Sequence, residues 1–145
     1  MTKPDSLLYL IWRLPVHSIG HKHGGCVMIT NCALIRSAGQ NPDGSMTKET
    51  ERACEIAMDK YSNNEVVAIY IATGAKSADC LLADEMRGFL LHNGVNPKDI
   101  IYDPTAHSEE AEWLRCADWL LKTHSLGIEH MIQVSHDSPG VVATA

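Results

Sequence analysis

Hydrophobic residues fall into two alternating rhythms along this chain. Short apolar, often β-branched runs occur at Cys26–Ile29, Val66–Ala72, Ile100–Tyr102 and Met131–Val134, and between them lie longer stretches with apolar residues three and four apart. The first rhythm predicts strands buried on both faces, the second amphipathic helices. A polar loop follows each run: Asn31–Ser45, Thr73–Ser77, Asp103–Ser108 and Ser135–Pro139. Strand, loop and helix repeated in this order predict a parallel sheet covered by helices. The loops after the strands then emerge at one sheet edge, where ligands bind in such folds.

The first strand is expected over Cys26–Leu34, and Gly39, Asn41-Pro42 and Asp43-Gly44 read as turn signals in the long loop after it. The first helix is expected over Thr47–Asn63, with Ala53, Ile56, Ala57 and Tyr61 on its apolar stripe and Glu49 and Glu51 in its opening turn. Val66–Ala72 is the clearest strand and is expected at the sheet centre. A second helix follows over Asp79–Leu91, closed by Gly94. The third is expected to start on Ser108 as N-cap, with Glu109, Glu110 and Glu112 at its head and Trp113, Leu114, Ala117, Leu120 and Leu121 on its stripe. Ile128–Val134 is the last complete strand. Pro139 suits the first turn of one more helix, of which only Gly140–Ala145 remain, so the unit is expected to be truncated at its C-terminus. The fold class predicted is α/β: a three-layer Rossmann-like domain over residues 26–145, with a mainly parallel sheet of four to five strands and an N-terminal lead-in over residues 1–25.

A length of 145 residues suits one domain with a proper core. Net charge is −6 and the Lys and Arg residues are dispersed, which argues against nucleic acid as a partner. Leu7–Leu14 is interrupted by Arg13 and ended by Pro15, too short for the ~20 apolar residues of a membrane span. It also lacks the basic start and cleavage site of a signal peptide, so a cytoplasmic location is expected. The five cysteines, Cys26, Cys32, Cys54, Cys80 and Cys116, form no C-x-x-C pair and read as free thiols, the last three on helices.

The loops supply the candidate chemistry. Thr73-Gly74-Ala75-Lys76-Ser77, between a strand and a helix, offers backbone N–H groups, hydroxyls and a cation, a seat for phosphate or carboxylate in which Gly74, Lys76 and Ser77 would bind. The bland alternative is a capped turn, and the first Gly of a Walker A loop is absent. Thr105, His107, Ser108 and Glu110 form a second polar group, in which Glu110 could orient the His107 imidazole for acid–base work; equally, Ser108 only caps and the glutamates only answer the helix dipole. His136-Asp137 is a second His–carboxylate pair beside Ser135. Asn31 and Arg36 could add an amide and a cation, whereas Arg52 by itself reads as a surface helix residue. Among eight histidines there is no H-E-x-x-H or Cys/His tetrad, so no metal site is assigned, though His107, His136 and Asp137 could together hold one ion. No G-x-S-x-G elbow or G-x-G-x-x-G fingerprint is present, which argues against an ordinary dinucleotide enzyme and leaves the cofactor unknown.

The order of these pieces over residues 26–143 resembles the SanA/YdcF/ElyC-like domain-of-unknown-function family. Thr47-x-x-x-x-Arg52 is similar to that family's Arg-bearing helix, Thr73-Gly74-Ala75 stands where it has Ser-Gly-Gly, and Leu91-His92-Asn93-Gly94-Val95 matches its Leu-x-x-Gly-Val. Thr105-Ala106-His107-Ser108-Glu109-Glu110 has the spacing of its Ser-x-Asn-Thr-x-Glu motif. Leu82 replaces an early Glu, and Ser135–Gly140 carries a shifted His and no Arg. The resemblance implies the same α/β fold, makes Arg52 a site cation and associates the chain with cell-envelope processes.

The expected function is binding of a small anionic metabolite, a phosphorylated sugar or nucleotide-like ligand, with hydrolysis or transfer as the chemistry that His107, Glu110, His136 and Asp137 could add. The rival is a non-catalytic binding or interaction module that has lost family site residues. Leu7, Leu8, Leu10, Ile11 and Trp12 are too apolar to leave bare, and with the shortened final helix they lead to the expectation of a homodimer.

Overall fold

The computed structural model describes residues 31–122, 128 and 130–138. The expectations for Leu7–Trp12, Cys26–Ile29, the His21-x-His23 stretch and the helix after Pro139 lie outside these residues. Four strands form one all-parallel sheet: β1 (Asn31–Ile35), β2 (Ala68–Thr73), β5 (Ile100–Ala106) and β6 (His130–Val134). Three helices, α1 (Lys48–Ser62), α2 (Leu82–His92) and α3 (Glu109–Lys122), accompany them. A two-stranded hairpin, β3 (Lys76–Ser77) with β4 (Cys80–Leu81), stands apart from the sheet. The α/β class and the parallel sheet are as the sequence pattern predicts.

Strand alternation explains the layers. Ala33, Ile35, Ile69, Ile71 and Val134 pack on one face with Ala53, Ile56 and Ala57 of α1 and Leu82, Met86 and Leu90 of α2. Their neighbours Cys32, Leu34, Ala68, Tyr70, Ala72 and Met131 point the other way, against Trp113, Cys116, Ala117 and Leu120 of α3. The central strands are apolar on both faces because each face is covered by helix. The third helix buries Glu112, Trp113, Cys116, Ala117 and Leu120, whereas Leu114 and Leu121, expected on the stripe, are 53% and 67% exposed. The true stripe is one position out of phase with that expectation.

Local chemistry sets the helix ends. Thr47 caps α1, its hydroxyl accepting from the Thr50 N–H, with Glu49 and Glu51 in the first turn and Asn63 closing the helix. Thr50 is buried in that turn and ties down the preceding loop: the Ala38 N–H donates to its hydroxyl (2.8 Å), which donates to the Gly39 carbonyl (2.8 Å).

The second helix starts later than the sequence suggests. Ala78 and Asp79 both adopt positive φ (52° and 60°), the geometry of a tight hairpin turn. Lys76 then pairs with Leu81 and Ser77 with Cys80, so Asp79–Leu81 are not helical and Cys80 lies on a strand. The hairpin is fastened to the loop after β1. Gln40 donates to the Cys80 carbonyl (2.8 Å) and Ser77 to the Pro42 carbonyl (3.2 Å). Gly44, at φ 95°, lies so close to Cys80 that an added Cβ would sit 2.6 Å from the cysteine Cβ.

Sheet order is β5-β2-β1-β6. The first two crossovers step outward from β1 through β2 to β5, and the third returns past both to the opposite side of β1. The direction therefore reverses between β1 and β6, and the C-terminal ends of these two strands are where open α/β sheets place a ligand crevice.

Candidate functional site

Arg36 follows β1 directly and its N–H continues the ladder to the Val134 carbonyl of β6 (2.7 Å), which puts it at the reversal point. Its side chain, only 11% exposed, reaches the head of α3, where Nη1 donates to the Glu109 carbonyl (2.9 Å) and Nη2 pairs with Glu109 Oε1 (3.2 Å). The Glu109 side chain is 77% exposed, so half of this hold on Arg36 comes from a group that can swing into water.

One turn further along α3, Glu112 is buried (6% exposed), and its Oε1 has no hydrogen-bond partner among the described residues. Burial pushes this carboxyl up to about 7; Arg36 opposes the rise and Glu109 adds to it. From its place near the head of the helix, Glu112 is expected only to answer the helix dipole. The overlooked signal is its spacing, since Glu112, Cys116 and Leu120 are four apart and share one inward face.

Other expected residues reach the same edge. Gly74 follows β2 and its N–H donates to the Ala106 carbonyl (2.6 Å). A Cβ on Gly74 would meet His107 Cε1 at 2.8 Å, so the bare glycine lets the imidazole lie against the backbone. Ser108 caps α3, its hydroxyl accepting from the Ala111 N–H (3.0 Å). Beyond β6, residues 135–138 form a turn in which the Ser138 N–H donates to the Ser135 carbonyl (3.0 Å) and the Ser135 N–H to the Ser138 hydroxyl (2.9 Å). The Ser135 hydroxyl donates to Asp137 (2.5 Å), which holds that carboxyl below its usual range; exposed His136 lies between them. Gly74, His107, Ser108, Glu109, Arg36 and Ser135 thus follow one another across the strand ends.

Several expectations are corrected. Asn31 lies at the opposite edge of the sheet: it is level with His130 at the start of β6, and its side chain donates to the Glu65 carbonyl ahead of β2 (3.0 Å). Asn31 opens β1 instead of following it, because the strand runs over Asn31–Ile35, and the sheet is parallel throughout. Lys76 and Ser77 do not sit at a helix N-terminus but on the hairpin, with Lys76 exposed and Ser77 bonded to the loop after β1, so the expected anion seat around Gly74 lacks its helix. Arg52 is on an outer face of α1 and pairs with Glu55 (3.6 Å). His107 and Glu110 are both exposed with no hydrogen bond between them, and Thr105 donates to Asp103 (3.0 Å) rather than facing a ligand. Among the described residues no group of three or more His, Cys, Asp or Glu side chains converges as metal ligands would, the trio of His107, His136 and Asp137 included. Nor is any helix among them long and apolar enough to cross a membrane.

A second polar cluster was not foreseen. A cavity of about 370 Å³ opens between β5 and α3, lined by Tyr70, Tyr102, Asp103, Arg115 and Trp119 among others. Asp103 is fully engaged there, accepting from Tyr70 (2.7 Å), from two Arg115 nitrogens (2.8 and 3.1 Å) and from Thr105. On the neighbouring surface Tyr102 donates to Asp84 and stacks beneath Arg87.

Comparison with known proteins yields no family model, no curated protein and no solved structure that matches this chain.

Proposed function

We propose that this domain binds a small anionic ligand, such as a phosphorylated sugar or nucleotide-like metabolite, at the C-terminal strand ends with Arg36 as the cation. The observation that carries this reading is the coincidence of two features: the sheet reverses between β1 and β6, and Arg36 stands there on a mostly buried stem. Of the three cations expected from the sequence, Arg36 takes this role, since Lys76 is exposed on the hairpin and Arg52 pairs with Glu55 on α1. Chemistry on the bound group, hydrolysis or transfer, would fall to His107 and His136 with Asp137, which flank the crevice on the loops after β5 and β6.

A thermal-shift screen of phosphate, sulfate, sugar phosphates and nucleotides tests it. A ligand at 100 times its Kd adds about 2.7 kcal/mol of stability, a rise of several degrees. Arg36→Gln is expected to abolish the shift, losing the charge-assisted bonds while remaining folded. An unaltered shift in that variant would contradict the reading.

Three further proposals accompany it. The likeness in motif order supports membership of the SanA/YdcF/ElyC-like family, and the buried Leu82, which takes the place of an acidic residue, marks this chain as divergent. A cytoplasmic location is supported by free thiols at Cys32, Cys54, Cys80 and Cys116. Exposed Leu114 and Leu121, seven residues apart on α3, support a homodimer or, in the second reading, a non-catalytic interaction module. Light scattering that returned a monomer mass for the full chain, unchanged by Leu121→Ser, would remove the homodimer.

A further inference from the structure

Arg36 alone does not make the crevice attractive to an anion. Glu109 and Glu110 stand on the first turn of α3 and Asp137 in the turn after β6, so the edge carries more acid than base. An anion that takes the place of the Glu109 carboxylate on Arg36 comes under the same electrostatic influence of Glu112 that Arg36 and Glu109 share with it. The contact Glu112 makes depends on its proton. As a carboxylate, its unpartnered Oε1 would repel the incoming group in a place with little water to screen it. As a carboxylic acid protonated at Oε1, it is a donor there with no acceptor among the described residues.

The geometry of this turn leads us to propose that Glu112 is a hydrogen-bond donor to the anion paired with Arg36, so that ligand uptake at the switch point is coupled to uptake of one proton. The inference deepens the reading of the crevice as an anion site and rests on it. Its footing is spatial. Glu112 is buried, has an oxygen with no partner among the described residues, and lies one helical turn beyond the Glu109 carbonyl and carboxylate that hold Arg36. The charged groups acting on it are Arg36 from the end of β1 and Glu109 from its own helix. From the other strand ends, His107 follows β5, and His136 and Asp137 follow β6, all exposed at the same edge. Bound anion and proton stabilise each other, because the anion favours neutral Glu112 and neutral Glu112 admits the anion. Glu109 acts in the opposite sense, as a displaceable occupant of Arg36.

Sulfate is the suitable probe, since its own charge is constant over the range in question. Calorimetric titration of the full chain at constant ionic strength, at pH 6.0 and pH 8.5, is the test. For the wild type the Kd is expected to rise with pH, approaching tenfold per unit above the Glu112 midpoint. Glu112→Gln keeps a donor and cannot ionise, so its Kd is expected to stay near the wild-type value of pH 6.0 at both pH values. Glu109→Gln is expected to bind sulfate more tightly at both pH values and to keep the slope. A wild-type Kd that does not change with pH, or an equal slope in Glu112→Gln, would overturn the coupling while leaving the anion site standing. No sulfate binding at either pH, in wild type and Glu109→Gln alike, would overturn the anion site and the coupling together.

Discussion

Two carboxyl groups on the α3 side of the sheet have been given opposite surroundings. Asp103, on β5, accepts hydrogen bonds from Tyr70, Thr105 and both faces of an Arg115 fork. Burial works against its charge, yet the bonds from Arg115, Tyr70 and Thr105 prevail and hold it below the usual aspartate range. Glu112, on α3, has burial without such partners and is raised to about 7. A charge whose bonds are complete contributes structure and has nothing left to offer a ligand. A buried group whose bonds are incomplete is costly to the fold and persists where something else is to complete them. That contrast makes the strand-end crevice, rather than the cavity beside Asp103, the functional candidate.

Removing the satisfied carboxylate has the largest expected effect. Asp103→Ala strands the Tyr70 hydroxyl and releases Arg115, and is expected to cost about 2–3 kcal/mol near pH 7, a melting point lower by roughly 5–10 °C. The Tyr70 hydroxyl lies 3.3 Å from the Arg115 carbonyl, and a turn toward it would recover part of the loss. The folded-state pKa of Asp103 is depressed, so its contribution is present above the ordinary aspartate value of 3.8 and is lost as pH falls through the folded pKa. Denaturant curves of wild type and variant should converge in acid.

Glu112 reverses the sign. Its folded-state pKa lies above the unfolded value, so the stability it allows is complete below the ordinary glutamate value of 4.5 and is lost as pH rises from there to about 7. Glu112→Gln is therefore expected to leave stability unchanged near pH 4 and to raise it by roughly 1–2 kcal/mol at pH 8. Destabilisation at pH 8 would mean that the carboxylate has a partner and that the contrast with Asp103 is false. The smallest effect is expected at Gly74. Gly74→Ala must push the exposed His107 ring aside and ease away from the Ala106 carbonyl, 3.1 Å from the new Cβ, for about 1 kcal/mol. A shifted His107 imidazole resonance would report the displacement.

Much of the fold was legible because local and tertiary preferences agree. Thr47, Glu49, Glu51 and Asn63 bound α1 where the caps say, and the doubly apolar run at Val66–Ala72 became the core strand β2. The hairpin before α2 was not legible, since Ala78 and Asp79 are not the Asn-Gly or Asp-Gly pair that announces such a turn. Tertiary bonds from Gln40 and Ser77 to the facing loops hold it instead. The strand β5 continues to Ala106 through Asp103-Pro104, which reads as a break, because its register against β2 slips between Tyr102 and Ala106 and it lies at the edge of the sheet formed by the described residues, both of which tolerate a proline. At the site, reading loops after strands found Arg36, Gly74, His107, Ser108 and Ser135 at the right edge. It misread Asn31 by a strand boundary and overlooked Glu112, since a glutamate in a first helical turn ordinarily faces water. What distinguished that glutamate was its spacing to Cys116 and Leu120, which acquires meaning only once the buried face of α3 is known.

The most direct measurement is a carboxyl-carbon NMR titration of the full chain, following Glu112 and Asp103 together. Glu112 is predicted to titrate near 7 and to move higher when sulfate is added, while Asp103 titrates below the ordinary aspartate value with or without sulfate. A Glu112 midpoint close to 4.5, unmoved by sulfate, would contradict the account.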